Sequence, residues 1–400
     1  MIRRFIKFIL ISIVIVIIVI SSIIGSASMG LFGLFWERWT SALMGNPLDP
    51  DFSWYQPLER TNGNFESPLD RISSEQSEIP LSVFQEAKEY AQNHGSKSLV
   101  IQHKGKIVFE SYWQETNPDS LFGLHSFTKT MNALLVGHLI NDGYIKSIDE
   151  SVSDYIEEWR DGDKTNITIK HLLHMSGGLK ETFDYSPFSD RIQRAYGTDI
   201  VNANLNMDPE IDPGTVFSHN NYNSQILGIL IERASGKRYS EYFSEKIWSP
   251  LGSRDAFFFV DRPDGMVHTD CCMWASIRDM IRIGEMLMNK GLFKNKEILP
   301  KGWVEQMITP SEPNNNYGMQ IWLGNEYEER RAYDARLTMY ANYHGEPYVT
   351  DDLFFMDGIG KQRMYMIPSE SLVILRTGDN SPDWDDSVLP NTISRGIRND

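Results

Sequence analysis

Strand signals sit at both ends of one long stretch of this chain, and helix signals fill its middle. Ser98 to Gln102 and Ile107 to Trp113 are β-like runs, and Lys104 and Gly105 between them read as a hairpin turn. A helix is expected just before them, over Leu81 to Asn93, ending before Gly95. The strand pattern returns only in the C-terminal part, at Tyr317 to Leu323, Leu353 to Met356, Gln362 to Ile367 and Ser371 to Arg376. Helical patterns lie between: Ser126 to Asn141 before Gly143, Thr168 to Met175, Gln225 to Ser235 before Gly236, and Ser276 to Asn289 before Gly291. Strands so far apart join one antiparallel sheet only if the middle is an insertion. The expected fold class is therefore α+β, an antiparallel sheet flanked by helices plus an all-helical lobe. The α/β lobe is expected from about 81–125 and 276–400 and the helical lobe from about 126–275, within one domain over 81–400. Clefts at such lobe junctions are common ligand sites.

The N-terminus adds a membrane signal. Arg3, Arg4 and Lys7 precede an uncharged run rich in Ile and Val, Phe8 to Gly25. A membrane-crossing helix needs ~20 residues, and positive charge before it keeps the N-terminus in the cytoplasm. An uncleaved transmembrane anchor within 1–30 is expected, with the rest exported and facing the periplasm. The alternative is a signal peptide cut near Ser26, Ala27 and Ser28. Residues 31–80 hold Gly, Pro, Asn and Trp without periodicity and read as an irregular stem, with Asn62 to Ile79 winding over the surface.

Charge and cysteine content exclude several function classes. A net charge of −16 argues against nucleic acid as a partner. Cys271 and Cys272 are adjacent, so two packed thiols are expected rather than a strained ring between neighbours. No CxxC or HExxH pattern occurs, so no metal site is expected.

Ser126-Phe127-Thr128-Lys129 is an SxxK tetrad at the start of a predicted helix. Positions i and i+3 share a helix face, so the amine lies beside the hydroxyl. Serine is a weak nucleophile at neutral pH, and a buried amine of lowered pKa can take its proton. The helix N-terminus favours a developing oxyanion. Taken alone the tetrad is weak, since roughly one or two matches arise by chance in a chain this long. A plain N-cap serine and a solvated lysine would read the same.

The surroundings make it specific. From His125 the chain reads HSFTKTMNALLVGHLINDGYIKSIDESVSDYI. ITIKHLLHMSGGL follows at Ile167 to Leu179, PGTVFSHNNYNSQILGILIERASGK at Pro213 to Lys237, and then ASIRDMIRIGEMLMNKG and ILPKGWVEQM. Together these resemble the serine β-lactamase-like (penicillin-recognising) hydrolases, closely over residues 80–310 and more loosely over 317–380. The nearest branch is that of 6-aminohexanoate-dimer hydrolases and related carboxylesterases. The resemblance implies the β-lactamase/transpeptidase-like fold and a serine hydrolase with no cofactor, acting on a small-molecule ester or amide through a Ser126 acyl-enzyme. It implies Ser126 as nucleophile and Lys129 as its base.

The second motif departs from the branch's pattern. His219-Asn220-Asn221 stands where a Tyr-led triplet is expected. Histidine titrates near neutrality and can relay a proton to the leaving group, so His219 is the candidate third catalytic residue; a lost catalytic residue is the alternative. Tyr222 offers a phenol three residues out of register. Tyr185 matches a substrate-side tyrosine of the branch, and Asn221 is a further substrate-side candidate. In Asp357-Gly358-Ile359-Gly360-Lys361-Gln362, the alignment places Gly360 at the third motif's substrate-side position. It also makes the backbone N–H of Ile359 the second oxyanion donor beside that of Ser126. Lys361 is one step along the strand and points to the other face.

Two other functions stay open. One is a D-alanyl peptidase or β-lactamase, against which the third motif counts. The other is a non-catalytic periplasmic binding protein, which His219 favours. The substrate, the oligomeric state and the role of residues 325–349 are not legible.

Overall fold

A computed structural model describes residues 30–45, 53–182, 184–336 and 341–399. The run Phe8 to Gly25 lies outside them. Among the described residues no helix is long and apolar enough to cross a membrane.

The described residues begin with helix α1 over residues 30–44, followed by strand β1 (Leu58–Thr61), so the segment expected as an irregular stem carries regular elements. Its lack of periodicity has a physical cause: Phe35, Trp39 and Tyr55 are buried against Ile192, Tyr196 and Phe259 of the domain, contacts that short-range patterning does not register. Arg38 is buried and clamps the segment. Its guanidinium donates to the carbonyls of Gln56 (2.9 Å), Gly197 (3.1 Å), Val260 (3.0 Å) and Asp261 (2.9 Å).

Helix α2 (Leu81–Asn93) leads into β2 (Ser96–His103) and β3 (Lys106–Tyr112). Lys104 and Gly105 between them have φ of 50° and 74°, the left-handed pair that a two-residue hairpin turn requires. Strand β4 (Leu121–Gly123) and helix α3 (Phe127–Asn141) follow. The helical lobe comes next, with α4 (Ile169–Leu173), α5 (Asp190–Tyr196), α6 (Ile200–Leu205), α7 (Asn221–Ser235) and α8 (Tyr239–Phe243). Strands β5 (Ala256–Phe259) and β6 (Met273–Ser276) and helix α9 (Ile277–Met288) return the chain to the sheet.

Beyond α9 lie a short hairpin, β7 (Leu292–Phe293) with β8 (Lys296–Glu297), and helix α10 (Trp303–Met307). The chain ends in β9 (Trp322–Leu323), β10 (Arg330–Ala332), β11 (Ala341–Tyr343), β12 (Phe354–Gly358), β13 (Gln362–Ile367), β14 (Leu372–Gly378) and α11 (Val388–Arg398).

Six strands form one antiparallel sheet in the order β3-β2-β14-β13-β12-β9, joining both ends of the domain as expected. Alternate residues face opposite sides. Leu99, Ile101 and Ile374 pack with Phe84 and Ala91 of α2 and Leu389 of α11. Val100, Val373 and Leu375 face Ile281 and Met286 of α9 and the helical lobe. The strand expected over Tyr317 to Leu323 is only Trp322–Leu323: Gly318 N–H bonds the Ile321 carbonyl and Gln320 has φ 56°, so the chain turns first.

A second, four-stranded sheet has the order β1-β5-β6-β4. It delivers two segments side by side, the end of β4 running into Ser126 and the approach to β6 from Asp270.

Candidate active site

Helix α3 is apolar nearly all round, and every residue from Phe127 to Leu139 is buried, as expected of a helix that crosses a core. Trp303 donates to the Ala133 carbonyl (2.9 Å), and a Cβ at Gly137 would strike that indole at 2.5 Å. Asn132 ties α3 to the carbonyls of Ser224 (3.1 Å) and Thr269 (3.0 Å). The middle of α3 is thus held by Trp303, Ser224 and Thr269.

Ser126 occupies the N-cap position of α3 but makes no side-chain cap bond. His125 before it sits at φ 48°, a sparsely populated conformation for a non-glycine residue that is found mainly where surrounding structure fixes it. The Ser126 hydroxyl instead accepts from Lys129 Nζ at 3.0 Å. Lys129 Nζ also donates to Asn221 Oδ1 (2.8 Å) and, closely, to the main-chain carbonyl of Asp270. Burial pushes the Lys129 amine down to about 8, against the opposing pull of Asp270. Asn221 is the first residue of α7 and so orients the lysine. The Asp270 carboxyl is buried, yet it stays below the usual carboxylate range because His268, Lys129 and Arg194 outweigh desolvation.

His219 lies among the rings of Tyr317, Trp322 and Tyr333, at centroid distances of 5.7, 5.5 and 5.3 Å. The main-chain N–H of His219 donates to the Tyr333 carbonyl at 2.7 Å. Burial, with the nearby Lys129 cation, pushes the imidazole down to about 3. The expectation that His219 titrates near neutrality is therefore corrected: the ring is neutral over the physiological range. Tyr222 is fully buried, with the Arg194 guanidinium 4.0 Å from its ring centroid.

Strand β12 ends beside the nucleophile turn. A Cβ on Gly358 would meet the Leu124 carbonyl at 3.0 Å, so the Ile359 peptide follows directly from that contact. Gly360 has φ 74° and its carbonyl accepts from Arg376 (2.7 Å). Lys361 turns away and donates to Asn342 Oδ1, and burial lowers its amine to about 8. Tyr185 is 56% exposed, with the Arg191 guanidinium 4.9 Å from its ring centroid. The structure thus brings Ser126, Lys129 and Asn221 into direct contact. It sets His219 in its own aromatic cage and leaves the Tyr185 ring on the surface. A hollow of about 510 Å³ lined by Lys170, His171, His174 and Gly214 touches none of these residues.

Sequence reasoning missed the support beneath the site. Strands β10 and β11, from the unread segment 325–349, carry Arg331 and Asn342 and lead to Tyr333. Arg331 bonds Asp357 (2.6 Å) and Asp386 (2.9 Å), and Arg363 bonds the same two carboxylates (2.6 and 2.7 Å). Tyr333 donates to Asp357 (2.8 Å) while its ring lines the His219 cage. The one available signal was Asp357 within the third motif. The cysteine expectation is also corrected: Cys271 and Cys272 form a disulfide, with Cys272 at φ 84°. That left-handed turn brings adjacent side chains to one side. His268, Asp270 and Cys271 place ligand-type atoms within 4.8 Å of one another, but the sulfur is engaged in the disulfide.

The chain is similar to several known proteins. The chain is 24% identical over 255 residues to the 6-aminohexanoate-dimer hydrolase of Paenarthrobacter ureafaciens, covering 57% of this chain and 64% of that protein. It is 28% identical over 204 residues to Esterase EstB of Burkholderia gladioli, covering 46% of this chain and 51% of the esterase. The matches thus span between half and two thirds of those relatives. The solved structure of a family VIII carboxylesterase superposes with a TM-score of 0.59 at 16% identity, over 85% of this chain and all of that one, a likeness of fold. The first two of these relatives are named as a hydrolase and an esterase. The family model described as Beta-lactamase matches residues 83–383, most of the length of the chain, which therefore belongs to the Beta-lactamase family.

Proposed function

We propose that this chain cleaves an ester or amide bond of a small molecule through a Ser126 acyl-enzyme. The observation that carries the reading is the Lys129 amine, 3.0 Å from the Ser126 hydroxyl and lowered to about 8 by burial. An amine so tuned has a neutral fraction near physiological pH, which an ordinary lysine lacks. The neutral amine takes the Ser126 proton as the oxygen attacks the carbonyl. The oxyanion is held by main-chain N–H groups, with Ser126 and Ile359 as the donors. The lysine's proton then leaves with the alcohol or amine, and water hydrolyses the ester on Ser126 by the same path.

His219 enters this scheme as a neutral imidazole, able to orient a leaving group by hydrogen bonding but not to store a proton. Asn221 holds Lys129, and Tyr185 and Gly360 line the substrate side. The peptidase reading needs a cation at the third motif, and Lys361 gives its amine to Asn342 instead. The proposed location is the outer face of the cytoplasmic membrane, with Phe8 to Gly25 as the anchor.

The test is fluorophosphonate labelling of the full chain beside Ser126→Ala, with the adduct mapped by mass spectrometry. A label on Ser126 that the variant lacks supports the reading. A folded wild-type chain that takes no label overturns it in favour of a binding protein. Fast labelling by a fluorescent penicillin would revive the peptidase.

A further inference from the structure

Residues 270–273 brace the nucleophile turn at three points. Lys129 Nζ donates to the Asp270 carbonyl, Met273 N–H donates to Thr128 Oγ1 (3.1 Å), and Leu124 N–H donates to the Met273 carbonyl (2.8 Å). Cys271 and Cys272 lie at the centre of this brace and are bonded to each other. Cys272 sits at φ 84°, where non-glycine residues rarely go unless held. The ring between neighbouring cysteines supplies the hold. Cys272 packs in a cluster with Tyr55 and Phe259, and Cys271 is half-buried against that cluster, as are Trp54, Tyr196 and Trp274.

We infer that the Cys271–Cys272 bond is a reducible modification site whose opening by a small dithiol releases the Asp270 carbonyl from Lys129. The dithiol's two sulfurs become a disulfide. Its two electrons break the Cys271–Cys272 bond, and its two protons end on the cysteine thiols. Cys272 is then free to return to negative φ, which moves both peptide ends that touch the nucleophile turn. The catalytic consequence rests on the proposed hydrolase function; the release of the brace does not.

The experiment uses the full chain purified in air. Thiols are counted before and after dithiothreitol, with a chelator present because His268, Asp270 and a freed Cys271 lie close enough to take a divalent ion. Hydrogen exchange is followed by mass spectrometry over residues 121–129 and 270–276, with β14 as internal reference. Reduction is expected to speed exchange at Leu124 and Met273 about tenfold and to slow Ser126 labelling about tenfold, both reversed on reoxidation. A Cys271→Ser/Cys272→Ser double variant should match the reduced chain and ignore dithiol. Two thiols already free in the air-purified chain overturn the inference. So does unchanged exchange at Leu124 and Met273 once two thiols are counted. A chain that never labels, with exchange changing as described, refutes the hydrolase reading and keeps the brace.

Discussion

Lys129 is a base only once it has lost a proton, and its surroundings set where that happens. Desolvation lowers the amine to about 8, while Asp270 limits the fall. The labelling rate at Ser126 is therefore expected to rise with pH and level off above about 8. No step is expected near pH 6.5, because His219 is held neutral by burial. A rate profile followed from pH 5 to 10 checks both points, and a step near 6.5 would contradict the caged imidazole. The same depression bears on stability. The unfolded chain keeps the ordinary lysine value of 10.5 and binds the proton more tightly, so this group's destabilisation is full below about 8 and is relieved as pH rises toward 10.5. Ser126 and Lys129 were legible in sequence because three-residue spacing on a helix fixes their meeting. The protonation of His219 was not, because Tyr317, Trp322 and Tyr333 come from distant segments. Nor was Asp270, a residue far along the chain that meets Lys129 through its main-chain carbonyl and adds the field of its buried carboxylate.

Among the elements, β12 and the β10–β11 pair set the shape of the site. Gly358 has extended backbone that any residue adopts, and a Cβ there is opposed first by the Leu124 carbonyl and the Gln362 side chain. Gly358→Val is expected to push the strand end from the nucleophile turn and slow labelling by about 10²-fold. The melting temperature should fall only a little, and comparing the two readouts on one sample checks it. Arg331 is different. It neutralises Asp357 and Asp386 together with Arg363, all buried. Arg331→Met leaves two carboxylates on one guanidinium and is expected to cost about 3–5 kcal/mol, read by urea denaturation. The hairpin of β2 and β3 and the bounds of α2 were legible because local turn chemistry and helical spacing decide them. The β10–β11 pair was not, since its short strands carry charge that is buried only by tertiary partners.

At the scale of the whole molecule, α1 and β1 belong to the folded body. Arg38→Ala removes at least four charge-assisted bonds to main-chain carbonyls, three of them buried. A loss of about 3 kcal/mol or more is expected, measured as a fall in melting temperature with Ser126 labelling retained below it. A chain cut near Asp51 should show the same loss. These contacts escaped sequence reading because a single arginine among irregular residues carries no periodic signal.

Among the described residues every acceptor for Arg38 is a main-chain oxygen, and this divides mutational risk unevenly. Gln56, Gly197, Val260 and Asp261 take part through atoms that substitution does not delete, so drift at those positions keeps the hydrogen-bond acceptors in place. Arg38 has no such latitude, because lysine presents one nitrogen where the guanidinium presents three in a plane. Gly197 and Asp261 carry demands of their own, since a Cβ at Gly197 would meet the Gln193 carbonyl at 2.2 Å and the buried Asp261 carboxylate accepts from Ile200 and Met266. Among these acceptors a saturation scan read out by folding is therefore expected to find latitude chiefly at exposed Gln56.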